Sequence, residues 1–307
     1  MAGWTNKGFY RALAAVFRNE NAPSNFYLAL VTSAVAPGPD TDTLSDLTEI
    51  ATGNGYSAGG YSLTPGSTDF DSLIENDADD RAELQLRDIL VSASGGSIPD
   101  SGSGARYAVL LDDNATPASR EVLFYWDLTT DRTVSNGQTM TLPNMEIRAL
   151  QVSGTAGFTN KGLYRLLEWF FRQADIPTNF NLALATSAVA PGPDINTLSD
   201  LTEIAAGYGY TAGGTTVNRN STDFDVINED DVNDRASIQL KDFSFTASGG
   251  PIPASGDGAR YAVLLDDNAT AADREVIFYW DLESDRSVTD GNAITVQDSE
   301  MRAQQAA

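Results

Sequence analysis

The chain of 307 residues contains no cysteine and no histidine. Without cysteine there is neither a disulfide framework nor a thiolate site. Without histidine the commonest general base and the commonest transition-metal ligand are missing. Basic side chains are scarce as well: 19 Lys and Arg stand against 43 Asp and Glu, a net charge of −24. Phosphate backbones and anionic lipid surfaces repel such a chain, so neither nucleic acid nor a membrane is expected as a partner. The charge suits solubility, or docking onto a basic protein surface. Long apolar runs are absent too. No stretch reaches the roughly 18 apolar residues that span a bilayer. The opening MAGWTNKGFYRALAAVF lacks the charged start and apolar core of a signal peptide. A soluble protein made without a secretory signal is expected.

What is present is a repeat. Gly104–Thr116 reads GARYAVLLDDNAT, and the same letters return at Gly258–Thr270. Each leads to an aromatic run, REVLFYWDL at Arg120–Leu128 and REVIFYWDL at Arg274–Leu282. Asn6-Lys7-Gly8 maps to Asn160-Lys161-Gly162, and Pro37–Asp40 to Pro191–Asp194, with no insertion or deletion between the copies. The repeat is domain-sized, far longer than a solenoid unit. The expected organisation is a first domain at 1–150, a short linker at 151–156 (QVSGTA) and a second domain at 157–307. Two domains so joined are expected to pack with pseudo-twofold symmetry, in imitation of a homodimer.

Within one copy, Thr5 or Asn6 is a suitable helix N-cap. Phe9, Tyr10, Leu13, Val16 and Phe17 then recur at helical spacing, as do Leu163, Tyr164, Leu167, Phe170 and Phe171. This predicts an amphipathic helix that lies as a lid on the domain core or binds a partner. Phe26–Thr32 and Phe180–Thr186 read as strands. Thr43 or Ser45 is placed to cap a short helical turn carrying Leu44, Leu47 and Ile50. The glycine-rich pieces Gly53–Gly60 and Gly207–Gly214 read as loops or bulged strand ends. Arg81–Ala93 alternates as one half-buried strand. Arg106–Leu111 and Glu121–Leu128 are apolar on both faces, as central strands are. Asn136-Gly137 and Asp290-Gly291 are hairpin signals. The predicted class is mainly β: two tandem antiparallel β-sandwiches, jelly-roll or immunoglobulin-like, each with an N-terminal amphipathic helix and about six to eight strands.

Candidate chemistry is sparse. Glu75–Asp80 and Asn228–Asp234 carry carboxylates that could take Ca²⁺, but the calcium-loop spacing is missing and a solvated acidic loop is the simpler reading. Asp112-Asp113 and Asp266-Asp267 suit turns that close on their own backbone. Asp127 and Asp281 could be glycosidase acids or partners of Arg132 and Arg286, and the ion pair is favoured. Phe124, Tyr125 and Trp126, with Phe278, Tyr279 and Trp280, could stack on sugars or pack inward. No phosphate-binding loop occurs. No catalytic, cofactor-binding or metal-binding residue is assigned, no cofactor is expected, and the chain is not expected to be an enzyme.

The helix TNKGLYRLLEWFF, the strand NFNLALATS, the loop Leu201-Thr202-Glu203, the GYGYTAGG piece and the closing segments Thr133–Leu142 and Ser287–Val296 together resemble a family of small tailed-bacteriophage virion structural proteins. The likeness covers each copy nearly end to end. It departs in one place: Tyr56 and Tyr210 are present, but the arginine of the family's glycine–tyrosine motif does not follow. The duplication is also unusual. The resemblance implies a virion component assembled in the host cytoplasm. The first reading is a capsid decoration, or cement, protein that binds the outer surface of the major capsid protein shell and stabilises it. The aromatic helices, or the loops near Pro37–Asp40 and Pro191–Asp194, are then expected to touch the shell. The alternative is a tail or fibre-associated protein that binds host-surface carbohydrate. Partners implied are the major capsid protein or tail proteins of the same particle, with self-association left open.

Overall fold

The computed structural model describes residues 2–151 and 155–304. Residues 152–154, half of the expected linker, lie outside the described residues. The fold is mainly β, 41% strand and 13% helix, in antiparallel sheets. The first repeat comprises β1 (Ala2–Trp4), α1 (Asn6–Arg18), β2 (Phe26–Val31), β3 (Tyr61–Leu63), β4 (Ser72–Asn76), β5 (Arg81–Gln85), β6 (Ile89–Ser92), β7 (Ala105–Leu111), β8 (Val122–Arg132), β9 (Thr139–Leu142) and β10 (Glu146–Leu150). The second comprises β11 (Ala156–Phe158), α2 (Asn160–Leu167), β12 (Asn179–Ala185), β13 (Thr215–Asn218), β14 (Val226–Asp230), β15 (Arg235–Leu240), β16 (Phe243–Thr246), β17 (Ala259–Leu265), β18 (Val276–Arg286), β19 (Ala293–Val296) and β20 (Ser299–Gln304). Each repeat builds a five-stranded sheet, β1-β8-β7-β2-β3 or β11-β18-β17-β12-β13. Each adds a three-stranded sheet, β4-β5-β10 or β14-β15-β20, and a two-stranded ribbon, β6-β9 or β16-β19.

The two helices are capped as their sequences suggest. Thr5 Oγ1 accepts the Gly8 amide at 2.8 Å, and Thr159 Oγ1 does the same for Gly162. Asn19 closes α1 in the left-handed region at φ 58°. Segment Glu168–Arg172 continues α2 as a π-helical turn. Phe9, Leu13, Val16 and Phe17 are buried, as are Leu163, Leu167, Phe170 and Phe171.

What those faces cover is not the core of their own repeat alone. Helix α1 lies between its own β8 and the second repeat's β14, β15 and β20. Helix α2 lies between β18 and the first repeat's β4, β5 and β10. The exchange is reciprocal in detail. The Phe17 ring meets Phe158, Phe180 and Phe224 at 6.4, 5.2 and 5.4 Å. The Phe171 ring meets Trp4, Phe26 and Phe70 at 5.7, 5.2 and 5.3 Å. Arg18 Nε donates to Phe224 O at 2.7 Å, and Arg172 Nε to Phe70 O at 2.8 Å. One hydrophobic core therefore runs through both repeats. Burial of each phenylalanine is worth about 2–3 kcal/mol, so much of either repeat's cohesion sits in contacts with the other.

A second, smaller apolar cluster covers the opposite face of each five-stranded sheet. In the first repeat Leu44 and Leu47 close over Ala29, Val31, Val109, Leu111, Val122 and Tyr125. The second repeat repeats the arrangement with Leu198 and Leu201. The short 3₁₀ turn Leu44–Asp46 that carries Leu44 is held by Asp46, whose carboxylate accepts the Thr43 amide at 2.8 Å.

Two sequence expectations are corrected. Arg81–Ala93 is not one strand but two, β5 and β6, which join different sheets. The chain turns at Leu86–Asp88 because the Leu86 amide bonds Met145 O and the Arg87 amide bonds Asp69 O. The Asn136-Gly137 turn forms, with the Gln138 amide on Ser135 O at 2.9 Å, but its flanks do not pair as a hairpin. Val134 bridges to Ile98 and β9 pairs with β6, so the turn docks on the Ala93–Gly95 segment instead. With this split and the short edge strands, each repeat has ten strands among the described residues rather than six to eight.

Candidate functional site

The aromatic runs lie on β8 and β18, the strands next to the edges of the five-stranded sheets. Phe124, Tyr125 and Trp126 are 2, 5 and 7% exposed, and their counterparts match them. Both parities are buried because a core covers each face of the sheet. Trp126 Nε1 donates to Glu146 O at 2.9 Å and Trp280 Nε1 to Glu300 O at 3.1 Å, so the polar edges of the indoles are spent tying β8 to β10 and β18 to β20. These rings pack inward and offer no free face for a sugar.

Asp127 and Asp281 are ion-paired, but with a different arginine from the one expected. Arg106 Nε lies 2.7 Å from Asp127, and Arg260 Nε 2.6 Å from Asp281. The pairing follows from register, since Tyr107 lies opposite Asp127 on the neighbouring strand. Arg132 and Arg286 bond the carbonyls of Leu128 and Leu282 instead. The guanidinium hydrogen bond holds each aspartate below the usual carboxylate range.

The acidic stretches Glu75–Asp80 and Asn228–Asp234 comprise the ends of β4 and β14 and the turns that lead to β5 and β15, and each reaches the helix start of the other repeat. Lys7 pairs with Glu229, and Lys161 with Glu75. Asn6 Nδ2 bridges Asp40 and Asp231 at 3.0 and 3.3 Å, and Asn160 Nδ2 bridges Asp194 and Asp77 at 3.2 and 3.3 Å. Burial first, then Asp234, Asp231 and Asp42, raise the Asp40 carboxyl above its ordinary value. Among the described residues no group of three or more Asp, Glu, His or Cys is arranged to hold a metal. Asp112 and Asp266 close their own turns, accepting the amides of Glu121 and Glu275 at 2.8 and 2.9 Å.

Glu203, in the loop singled out by the resemblance, and its counterpart Glu49 each organise a glycine-rich piece. Glu49 Oε1 accepts the Tyr56 hydroxyl at 2.6 Å and the Gly59 amide at 2.7 Å, while the Leu30 amide donates to the Tyr56 hydroxyl oxygen at 2.9 Å. Glu203, Tyr210, Gly213 and Leu184 repeat this. Burial, then the charge of the adjacent glutamate, push both tyrosine hydroxyls well above their ordinary value. These are structural clamps. No arginine follows the tyrosine in sequence, but Arg120 Nη1 reaches Gly59 O at 2.8 Å and stacks over Tyr27 at 3.3 Å.

Matched grooves open beside β1 and β11. One, of about 520 Å³, is lined by Trp4, Trp126, Glu146 and Arg148 among others. The other, of about 460 Å³, is lined by Phe158, Trp280, Asp281, Glu300 and Arg302 among others. Burial pushes the Glu300 carboxyl up, but hydrogen bonds from Arg302 and Ser237 outweigh it and leave it low. With Asp281 also low, neither acid is protonated at neutral pH as a glycosidase proton donor must be.

No family model, curated protein or solved structure matches the chain.

Proposed function

We propose that the protein is a structural component of a tailed-phage particle, a capsid decoration protein that binds the outer surface of the major capsid protein shell and stabilises it. The observation that carries this reading is the reciprocal helix exchange. It fixes two equivalent outer faces in one rigid body, the arrangement needed to clamp two neighbouring sites of a repeating surface. Linking two modest contacts raises their effective concentration, so neither need be strong alone. The acidic surface keeps such a protein soluble and away from the packaged genome. The burial of Trp126 and Trp280 weighs against the carbohydrate-binding reading, which relied on those rings for stacking. The helices, sealed between sheets, are withdrawn as candidates for shell contact, and the exposed loops remain.

The test is the number of copies per purified particle, by quantitative mass spectrometry against the major capsid protein. Hundreds of copies are expected. A dozen or fewer would move the protein to the tail, and none would end the virion reading.

A further inference from the structure

Eight large apolar side chains are exposed among the described residues. Six of them have a small or polar residue at the equivalent position of the other repeat. Ile74 corresponds to Asn228, Leu90 to Ser244, and Tyr208 to Asn54; Ile176, Val226 and Val232 correspond to Ala22, Ser72 and Ala78. The remaining two are each other's counterparts. Val35, 46% exposed, and Val189, 38% exposed, occupy the same position of the two repeats. They sit in the exposed stretches Ser33–Ala36 and Ser187–Ala190, within a segment Thr32–Asp40 that returns letter for letter as Thr186–Asp194.

At 46 and 38% exposed, the two valines leave a large part of their apolar surface in water, and the other six exposed apolar side chains have no large apolar counterpart. The loop itself is stiff. The Gly38 amide bonds Thr41 Oγ1 at 2.9 Å, and Pro39 O accepts the Asn6 amide at 2.8 Å, tying the loop to the helix start. In the second repeat Pro193 O accepts the Asn160 amide at 2.8 Å. Such a loop loses little freedom on binding. Its surroundings are acidic. Ser33 Oγ lies 3.5 Å from Asp131, and Ser187 Oγ 3.2 Å from Asp285, with Asp40 and Asp194 at the far ends. No lysine or arginine occurs in either segment.

We propose that Val35 and Val189 are a matched pair of contact points, each seated in a shallow apolar socket rimmed by basic side chains on the outer face of the shell subunits. This assignment rests on the decoration reading and names the surface it uses. Charge complementarity selects a basic rim, and the identity of the two loops selects an acceptor that offers the same socket twice.

The test uses the full-length protein and particles that lack it, with binding measured by co-sedimentation across a titration. Val35→Asp or Val189→Asp alone is expected to weaken apparent binding at least about tenfold, and the two together about a hundredfold or more, because the second contact is intramolecular once the first is made. Leu90→Asp, at a position as exposed but unmatched, is expected to bind like the wild type. The milder pair Val35→Ala and Val189→Ala, which removes methyl groups without adding charge, is expected to give an intermediate loss with an unchanged melting temperature. If both double variants bind like the wild type, the contact assignment falls and the decoration reading stands. If the wild-type protein itself does not sediment with the particles, the decoration reading falls and takes the socket with it.

Discussion

Lys7, in the first turn of α1, is ion-paired with Glu229 of the other repeat, and Lys161 is paired with Glu75 in the mirrored contact. The Lys7 and Glu229 side chains are 22 and 17% exposed, so the pair is partly withdrawn from water. Burial tends to lower the lysine, but Glu229 outweighs it and the ammonium ends above its ordinary value. Burial also leaves Glu229 raised despite Lys7, so removing the lysine strands an acid that is already disfavoured. Lys7→Ala is expected to cost about 1–2 kcal/mol, between the surface and fully buried limits. A double-mutant cycle with Glu229→Ala in denaturant titrations should recover a coupling of about 1 kcal/mol. A coupling of zero would mean that the two ends meet without holding each other.

The shared core predicts one unfolding transition rather than two. Phe17 is fully buried and its ring neighbours all belong to the second repeat. Phe17→Ala should cost about 3–5 kcal/mol. The loss should appear in both halves at once. Hydrogen exchange is the direct readout: amides of β14 and β15 should lose protection although the substitution lies in the first repeat. Two separable melting transitions, with β14 and β15 unaffected, would show that each repeat is held by its own contacts.

Much of this was legible in the sequence, but not the exchange. The repeat, an N-cap at Thr5 or Asn6 and the strands at β2, β7 and β8 follow from spacing and residue type. The face of α1 also follows from spacing; which sheet covers it does not, because periodicity reports that a face is apolar and says nothing about whose core it joins. The same limit hid the partner of Asp127, since Arg106 is brought there by strand register and not by distance along the chain. The break in Arg81–Ala93 was readable in principle. Buried residues fall at Leu84 and Leu86 but then at Ile89 and Val91, a change of parity that one continuous strand does not allow. The matched exposure of Val35 and Val189 required accessibility, because sequence gives an apolar residue in a loop no sign of whether it packs.

Gly8 supplies a test in which a helix-favouring substitution should destabilise. Alanine normally gains about 1 kcal/mol over glycine inside a helix. Here a Cβ on Gly8 would stand 2.0 Å from Leu123 O and 2.9 Å from Leu123 Cα, backbone atoms of the adjacent strand β8 that cannot rotate away. Gly162 meets Ile277 O at the same distance. Gly8→Ala is therefore expected to lower stability by about 2–3 kcal/mol, as overpacking does. A rise in melting temperature would mean that α1 can lift from β8 at little cost.

Asp223 provides the pH dependence. Its carboxylate is almost fully buried, pairs with Lys241, and accepts the Asn218 backbone and side-chain N–H groups at 2.7 Å each. Burial pushes the carboxyl up, but the Lys241 and Asn218 hydrogen bonds outweigh it, and the group ends below its ordinary value. A folded-state carboxyl below its unfolded value binds fewer protons in the native state. Its contribution is therefore present above the unfolded value of about 4 and is lost as pH falls through the lower folded value. Asp223→Asn removes the charge but keeps one acceptor oxygen, so a loss of about 1–3 kcal/mol is expected at neutral pH. Melting curves of the two proteins should differ most at pH 6–7, converge as pH falls below about 4, and nearly meet once Asp223 is protonated in both states. A gap that stays constant down to acid pH would show that the variant acts through altered packing around Asn218 and not through the charge on Asp223.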